Sequence, residues 1–305
     1  MIYTLTLSPS IDLFISSDNF ELNSVNRYSD FELLPGGKGL NASIMLKRHG
    51  FDNIALTLFD NETHKLLSNF FNKENLNVHN INYHDKTRIN IKYYGKQNNF
   101  ELNGPRTNLN NNEFQEVIDQ ISKLNKNDVL MLMGIGNEEQ LFEILNIVSK
   151  NNVKLILDIE SSKFIDLLKF KPFLIKPNVN ELKQIFNYKQ EVSQEWIVKS
   201  MLLLQEYGAL NIIVSDGSNG SYLLTSNKEL YQSKIKEKVN LVSATGAGDT
   251  LISIFSAEYI KTSNPIDSFQ KATASSIGTV TVSWLGNSSL TEQYLNNVDI
   301  KKLNI

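Results

Sequence analysis

Val129-Leu130-Met131-Leu132-Met133 is an unbroken apolar run of strand length, entered from Asp128 and followed by an amphipathic stretch over 138–149 and a second short run, Val153-Lys154-Leu155-Ile156-Leu157. This pattern predicts strand 128–133, helix 138–149 and strand 153–157. The alternation continues on both sides. A helix is expected over 112–124 and a short helical piece after Ser162. Strand 173–175, helix 193–207 and strand 211–214 follow, and two long helices near 247–260 and 264–283 come last. Short, continuously apolar strands between amphipathic helices are buried on both faces, which is the mark of a parallel sheet with helices packed on each side. The expected class is therefore α/β, doubly wound and mostly parallel. The N-terminal part departs from this rhythm. Segments 11–16, 28–34, 87–94 and 99–102 read as short strands, the last two as a hairpin around 95–98. They break the alternation at two separate places, so a small β-rich lid is expected from insertions at about 11–34 and 87–104 in a single domain over 1–305. There is no internal repeat, and the many asparagines are a bias of composition rather than a low-complexity tract.

Bulk properties remove several function classes. The 305 residues are 41% hydrophobic and 21% charged, with a formal net charge of −3. That gives no general attraction to nucleic acid or to acidic membranes. No cysteine is present, which excludes disulfides, thiolate metal sites and a cysteine nucleophile. The opening Met1-Ile2-Tyr3-Thr4-Leu5 has no basic leader pattern, and no apolar run reaches the ~20 residues of a membrane span. A cytoplasmic protein is the expectation. His49, His64, His79 and His84 lack metal-ligand spacing.

Chemistry concentrates at Gly246-Ala247-Gly248-Asp249, where an apolar segment gives way to the helix expected near 247–260. The first N–H groups of a helix have no internal partner and carry the positive end of its dipole. Glycines let an anion approach them closely. An anion hole beside a carboxylate suits phosphoryl transfer to a hydroxyl: the N–H groups hold the moving phosphoryl group and the carboxylate takes the proton. A turn with a capping aspartate is the plainer alternative. The dinucleotide pattern fails because position 251 is Leu251, and Gly36-Gly37-Lys38-Gly39 is no Walker loop, since Glu32 and Gly39 stand where glycine and a hydroxyl residue are required.

Other polar clusters fall at expected strand ends and loops, where an open α/β sheet places its ligand. They are Ser8-Pro9-Ser10-Ile11-Asp12; the Gly36–Gly39 turn with Asn41; Thr87-Arg88-Ile89-Asn90; Glu101-Leu102-Asn103-Gly104-Pro105; Lys176-Pro177-Asn178 with Glu181; and Ser215-Asp216-Gly217-Ser218-Asn219-Gly220. In this order and spacing, together with Gly246-Ala247-Gly248-Asp249, they resemble the PfkB, or ribokinase-like, carbohydrate kinases from Met1 to about Trp284. The Thr-Arg-Ile-Asn and Asn-Gly-Pro segments resemble the branch containing 1-phosphofructokinase and tagatose-6-phosphate kinase.

The resemblance implies a role for each residue. Asp249 is the expected general base, and Gly246, Ala247 and Gly248 the expected anion hole. Asp12, Gly37 and Asn41 would hold the sugar, although Asp12 also reads as a strand-end surface residue and Asn41 as a helix cap. Lys38 and Arg88 would bind the phosphate already on the substrate, through a point charge and a planar fork respectively. Arg27 is a candidate for the same task or a solvated surface residue. Lys176, Asn178, Ser215, Gly217 and Gly220 would serve the nucleotide. Glu181 and Asn178 would place Mg²⁺, largely through water, and they also read as a capping box. ATP and Mg²⁺ are thus implied, with a ketohexose monophosphate as acceptor and a 1,6-bisphosphate as product. An unphosphorylated sugar or nucleoside is the alternative substrate, and a sugar-phosphate-binding regulator without catalysis the alternative function. A homodimer through the lid is expected as cover for its exposed face. Several stretches depart from the family pattern: Gly134-Ile135-Gly136-Asn137, Phe59-Asp60, Asp158-Ile159-Glu160-Ser161, Ser243-Ala244-Thr245 and Ala274-Ser275-Ser276-Ile277. Ile135 in particular would replace a hydroxyl near the substrate.

Overall fold

The computed structural model describes residues 1–96, 98–134 and 136–304. In chain order its elements begin β1 (Ile2–Thr6), β2 (Ser10–Ser17), β3 (Asp30–Gly36), α1 (Lys38–Arg48), β4 (Asn53–Thr57), α2 (Asn61–Lys73), β5 (Asn77–Asn80), β6 (Arg88–Gly95) and β7 (Asn99–Leu102). Next come α3 (Asn111–Ser122), β8 (Val129–Gly134), α4 (Glu138–Lys150), β9 (Lys154–Ile159), α5 (Phe164–Leu167), β10 (Leu174–Ile175), α6 (Val179–Ile185) and α7 (Gln194–Glu206). The last third holds β11 (Asn211–Ser215), β12 (Ser221–Leu224), β13 (Leu230–Ile235), α8 (Ala247–Thr262), α9 (Pro265–Val280), α10 (Ser288–Tyr294) and β14 (Val298–Leu303).

Ten strands form one sheet in the order β14-β13-β12-β11-β10-β9-β8-β1-β4-β5. From β11 to β5 every neighbouring pair is parallel, and β12, β13 and β14 extend one edge antiparallel. The apolar run 129–133 shows why helices cover both faces. Leu130 and Leu132 of β8 pack in one core cluster with Val117, Ile121, Ile144 and Leu204. Val129, Met131 and Met133 pack in another with Ile44, Met45, Phe255 and Phe269. Successive strand side chains point to opposite faces, so a strand that is apolar at every position requires a helix layer on each.

Local chemistry sets the helix ends. Asn264 caps α9 by accepting from the Ile266 and Asp267 amides, with Pro265 at the first helical position, where its missing N–H costs nothing. That helix stops at Val280, short of the expected 283, and the Thr281 hydroxyl turns back to donate to the Gly278 carbonyl at 2.8 Å.

The four other strands form a separate sheet in the order β3-β2-β6-β7. Both expected insertions contribute to it. The central pair β2 and β6 is parallel, setting Ser10 opposite Arg88 and Asp12 opposite Asn90. β3 runs to Gly36 rather than ending near 34, and Pro35 is accommodated because β3 is an edge strand. β6 and β7 pair antiparallel as expected, with the Gly95 amide donating to the Asn98 carbonyl at 3.0 Å. One face of this sheet carries Asp12, Asn90, Lys92 and Tyr94. The other carries Phe31, Leu33, Ile89 and Leu102, all exposed. Among the described residues, no helix is long and apolar enough to cross a membrane.

Candidate active site

Four segments meet at the carboxyl end of the parallel strands: the turn into α1, the end of β9, the segment after β10 and the start of α8. Gly246 caps α8 in the left-handed region, at φ 76°, and a side chain there would collide with Leu285. That glycine lets the chain turn sharply into the helix. Asp249 is then the third helical residue and only 7% exposed. Its Oδ2 accepts a 2.8 Å hydrogen bond from Asn41 Nδ2. Burial pushes its carboxyl up to about 6, Lys38 pulls it down, Asp158 pushes it up, and Asn41 and Lys176 pull it down. A buried carboxylate poised near neutrality suits a general base. Of the expected anion hole, the Ala247 amide makes a loose 3.3 Å bond to the Ala244 carbonyl.

Asp158 is the residue that the sequence-based site omits. Only 4% exposed, it sits between two lysines, with Lys38 Nζ 3.4 Å from Oδ1 and Lys176 Nζ 3.7 Å from Oδ2. Buried charges persist only when paired, and here one carboxylate serves two cations. The Lys176 ammonium also lies over the start of α8, 3.1 Å from where a β-carbon on Gly248 would stand. Burial lowers the Lys38 ammonium, but Asp158, Asp249 and Glu181 together outweigh it and raise it above its ordinary value. Lys38 therefore lies among the Asp158, Asp249 and Glu181 carboxylates.

Lys38 and Arg88, for which a shared phosphate is expected, have different neighbours in the protein. Arg88 donates from Nη2 to the Ser8 carbonyl at 2.9 Å and from Nε to the Pro9 carbonyl at 3.3 Å. Burial lowers its guanidinium, Asp12 raises it, and the nearby Arg106 lowers it further. Two guanidiniums thus lie within electrostatic reach of each other on the small sheet's side.

Asp12 is not a surface residue. It is 4% exposed, and its Oδ1 accepts from Ser10 Oγ at 2.7 Å and Asn90 Nδ2 at 2.9 Å. Asn90, unassigned from sequence, also accepts from the Gly104 amide at 3.1 Å, which ties together two of the quoted motifs. Asn41 lies inside α1 rather than capping it; Gly37, at φ 116°, holds the cap position. Asn41 Oδ1 is buried without a hydrogen-bond partner among the described residues. Arg27 is exposed in the loop between β2 and β3. Ile135 lies outside the described residues.

On the far side, Asn178 and Glu181 form the expected capping box. Asn178 Oδ1 accepts from the Glu181 amide at 2.9 Å, and Glu181 Oε2 accepts from the Asn178 amide at 2.8 Å. The Asn178 oxygen is thus occupied by the cap. The Ser215 amide donates to the Pro177 carbonyl at 3.2 Å, so the loop after β11 lies beside Asn178. Gly217 and Gly220 have positive φ, and a side chain on Gly220 would strike the Ser233 carbonyl. No group of three or more acidic or histidine side chains able to hold a metal exists among the described residues.

The model of the pfkB family carbohydrate kinases matches residues 5–292. The chain belongs to that family. The kinase is 33% identical over 284 residues to the 1-phosphofructokinase of Borreliella burgdorferi, covering 92% of this chain and 91% of the relative. To the D-tagatose-1-phosphate kinase of Bacillus licheniformis it is 30% identical over 307 residues, covering 99% and 100%. Its fold matches the phosphofructokinase-2 from Escherichia coli, crystallised with substrates and products, at a TM-score of 0.90, over 97% of this chain and 98% of that one. The 21% identity of that pair makes it a likeness of fold alone.

Proposed function

We propose that this kinase transfers the γ-phosphoryl group of ATP to a hydroxyl of a ketohexose monophosphate, giving a 1,6-bisphosphate. The carrying observation is the buried Asp249 carboxylate, held by Asn41 in the first turn of α8 with two lysines beside it. The relatives named 1-phosphofructokinase and D-tagatose-1-phosphate kinase support the substrate class. Fructose 1-phosphate and tagatose 6-phosphate are the proposed substrates.

Asp249 accepts the proton of the attacking hydroxyl as the hydroxyl oxygen bonds to the γ-phosphorus and the bond from that phosphorus to the β-phosphate oxygen breaks, releasing ADP. The Gly246–Gly248 amides and the dipole of α8 stabilise the charge on the moving phosphoryl group. Lys38 and Lys176 release Asp158 to neutralise phosphate oxygens. Asp12, Asn90 and the free Asn41 oxygen orient sugar hydroxyls. Arg88, helped by Arg106, carries the substrate phosphate. The small sheet acts as a lid that keeps water from the phosphoryl group.

Residues available for Mg²⁺ fit a hydrated ion. One carboxylate, Glu181, lies within electrostatic reach of Lys38, and Mg²⁺ characteristically keeps several waters and few protein ligands. When bound, the ion would neutralise charge on the nucleotide phosphates. Asn178 acts by holding Glu181 in place. Glu181→Gln is expected to raise the Mg²⁺ concentration needed for half-maximal rate. An unmoved Mg²⁺ titration would reduce Glu181 to its capping role.

The titration of Asp249 gives a signed pH prediction. The base works as carboxylate, so kcat/KM should fall as the pH drops through about 6. Lys38 holds that value down, so Lys38→Met should move the acid limb to higher pH. A substrate phosphate also titrates near pH ~6, but its limb would not move with Lys38. An acid limb in the same place in the variant would therefore detach it from Asp249.

Phe31, Leu33, Ile89 and Leu102 give the small sheet an exposed apolar face, and a second copy is the proposed cover. Sedimentation equilibrium is expected to return twice the 34.6 kDa chain mass. A monomer at assay concentration would refute this.

A further inference from the structure

The small sheet and the loop that enters the anion hole flank a cleft of about 550 Å³. At its walls a chain of polar contacts crosses between them. The Tyr94 hydroxyl of β6 lies 2.9 Å from Ser243 Oγ, hydrogen-bonded to it. Ser243 is 4% exposed, and its Oγ also accepts the Thr245 amide at 3.2 Å. Thr245 Oγ1 in turn donates to Glu101 Oε1 of β7 at 3.4 Å, and the same oxygen takes Lys92 Nζ at 3.1 Å.

Both crossings therefore end on residues 243 and 245, directly before Gly246. The next link lies within the loop itself: the Ala247 amide turns back to the Ala244 carbonyl. The Val242 and Ser243 amides anchor the start of this loop on the Val280 carbonyl, and from there the curvature of 243–245 helps set where the first free amides of α8 point. The side chains on the sheet lie on the same face as Asp12 and Asn90, since Tyr94, Lys92 and Asn90 alternate along β6. The contacts that bring the sheet over the sugar side thus also shape the loop that carries the anion hole.

We propose that Tyr94 and Glu101 are positioning residues: acting through Ser243 and Thr245, they set the anion hole in its working geometry only when the small sheet is seated. The proposal rests on the phosphoryl-transfer reading above. It also ties catalysis to enclosure, so that the phosphoryl group is gripped where water is excluded.

The test separates grip from binding. Affinity for ADP alone is compared with affinity for ADP plus aluminium fluoride, a mimic of the moving phosphoryl group, in the wild type, Tyr94→Phe, Thr245→Val and Thr245→Ser. Phenylalanine keeps the stacking of residue 94 on Phe14, and valine keeps the shape of threonine. The enhancement by fluoride should fall about three- to tenfold in Tyr94→Phe and Thr245→Val, the worth of one hydrogen bond. ADP affinity should stay unchanged, and Thr245→Ser should behave as wild type. In turnover the same loss should appear in kcat with little change in KM for ATP. Ser243→Ala, which loses both the Tyr94 contact and the acceptor of the Thr245 amide, should lose at least as much as Tyr94→Phe. Equal fluoride enhancement in wild type and variants overturns the proposal, as does its absence from the wild type. A wild type that shows the enhancement yet turns over no ketohexose monophosphate refutes the substrate instead, and the fluoride ratios still decide the positioning role.

Discussion

Asp249→Asn should reduce kcat by about 10²–10⁴, the usual worth of a positioned general base. Asparagine keeps the shape and can still meet Asn41, but it cannot take a proton. The buried charge also disappears, which relieves a desolvation cost, so the variant should fold at least as well as the wild type. Lys38 and Lys176 still have Asp158 as a partner, and ATP affinity should hold within a few fold. Rapid quench with labelled ATP would place the loss in the chemical step. Near-normal turnover in pure Asp249→Asn would reduce Asp249 to a buried structural partner of Asn41.

Arg88→Ala should raise KM for the ketohexose monophosphate about thirty- to a hundredfold, equivalent to roughly 2–3 kcal/mol for one charged hydrogen-bonding partner. KM for ATP should hardly move, because Arg88 contacts the Ser8 and Pro9 carbonyls and not the lysine-rich centre. Arg88→Lys should recover only part of the loss, since an ammonium keeps the charge but not the planar fork. A rise in both KM values together would mean that Arg88 merely braces the turn after β1. The loss should also shrink at high salt, where charge pairing is screened.

The parallel half of the fold is legible because its strands are apolar at nearly every position, as at 129–133, and no other arrangement buries both faces. The antiparallel edge is not legible. Ser221–Leu224 and Leu230–Ile235 are separated by a polar turn and resemble many surface hairpins, while Val298–Leu303 pairs across more than sixty residues with β13. Site residues divide on the same ground. Asp249, Gly246 and Gly37 are local backbone devices, so their spacing carries their meaning. Asp158 gains its importance from two lysines far away in sequence, and Asn90 from Asp12 on a neighbouring strand. A charged residue at the carboxyl end of an apolar strand was the available clue for Asp158. For Lys38 the segment is legible, but its pairing with Asp158 is not, because that carboxylate lies 120 residues away on β9.

The most direct measurement is a coupled ADP-release assay of the wild type across fructose 1-phosphate, fructose 6-phosphate, tagatose 6-phosphate, ribose and adenosine. The site described here predicts turnover with a ketohexose monophosphate and a kcat/KM for it far above that for ribose or adenosine. Efficient turnover of ribose or adenosine, or ATP hydrolysis that no sugar phosphate accelerates, would contradict it.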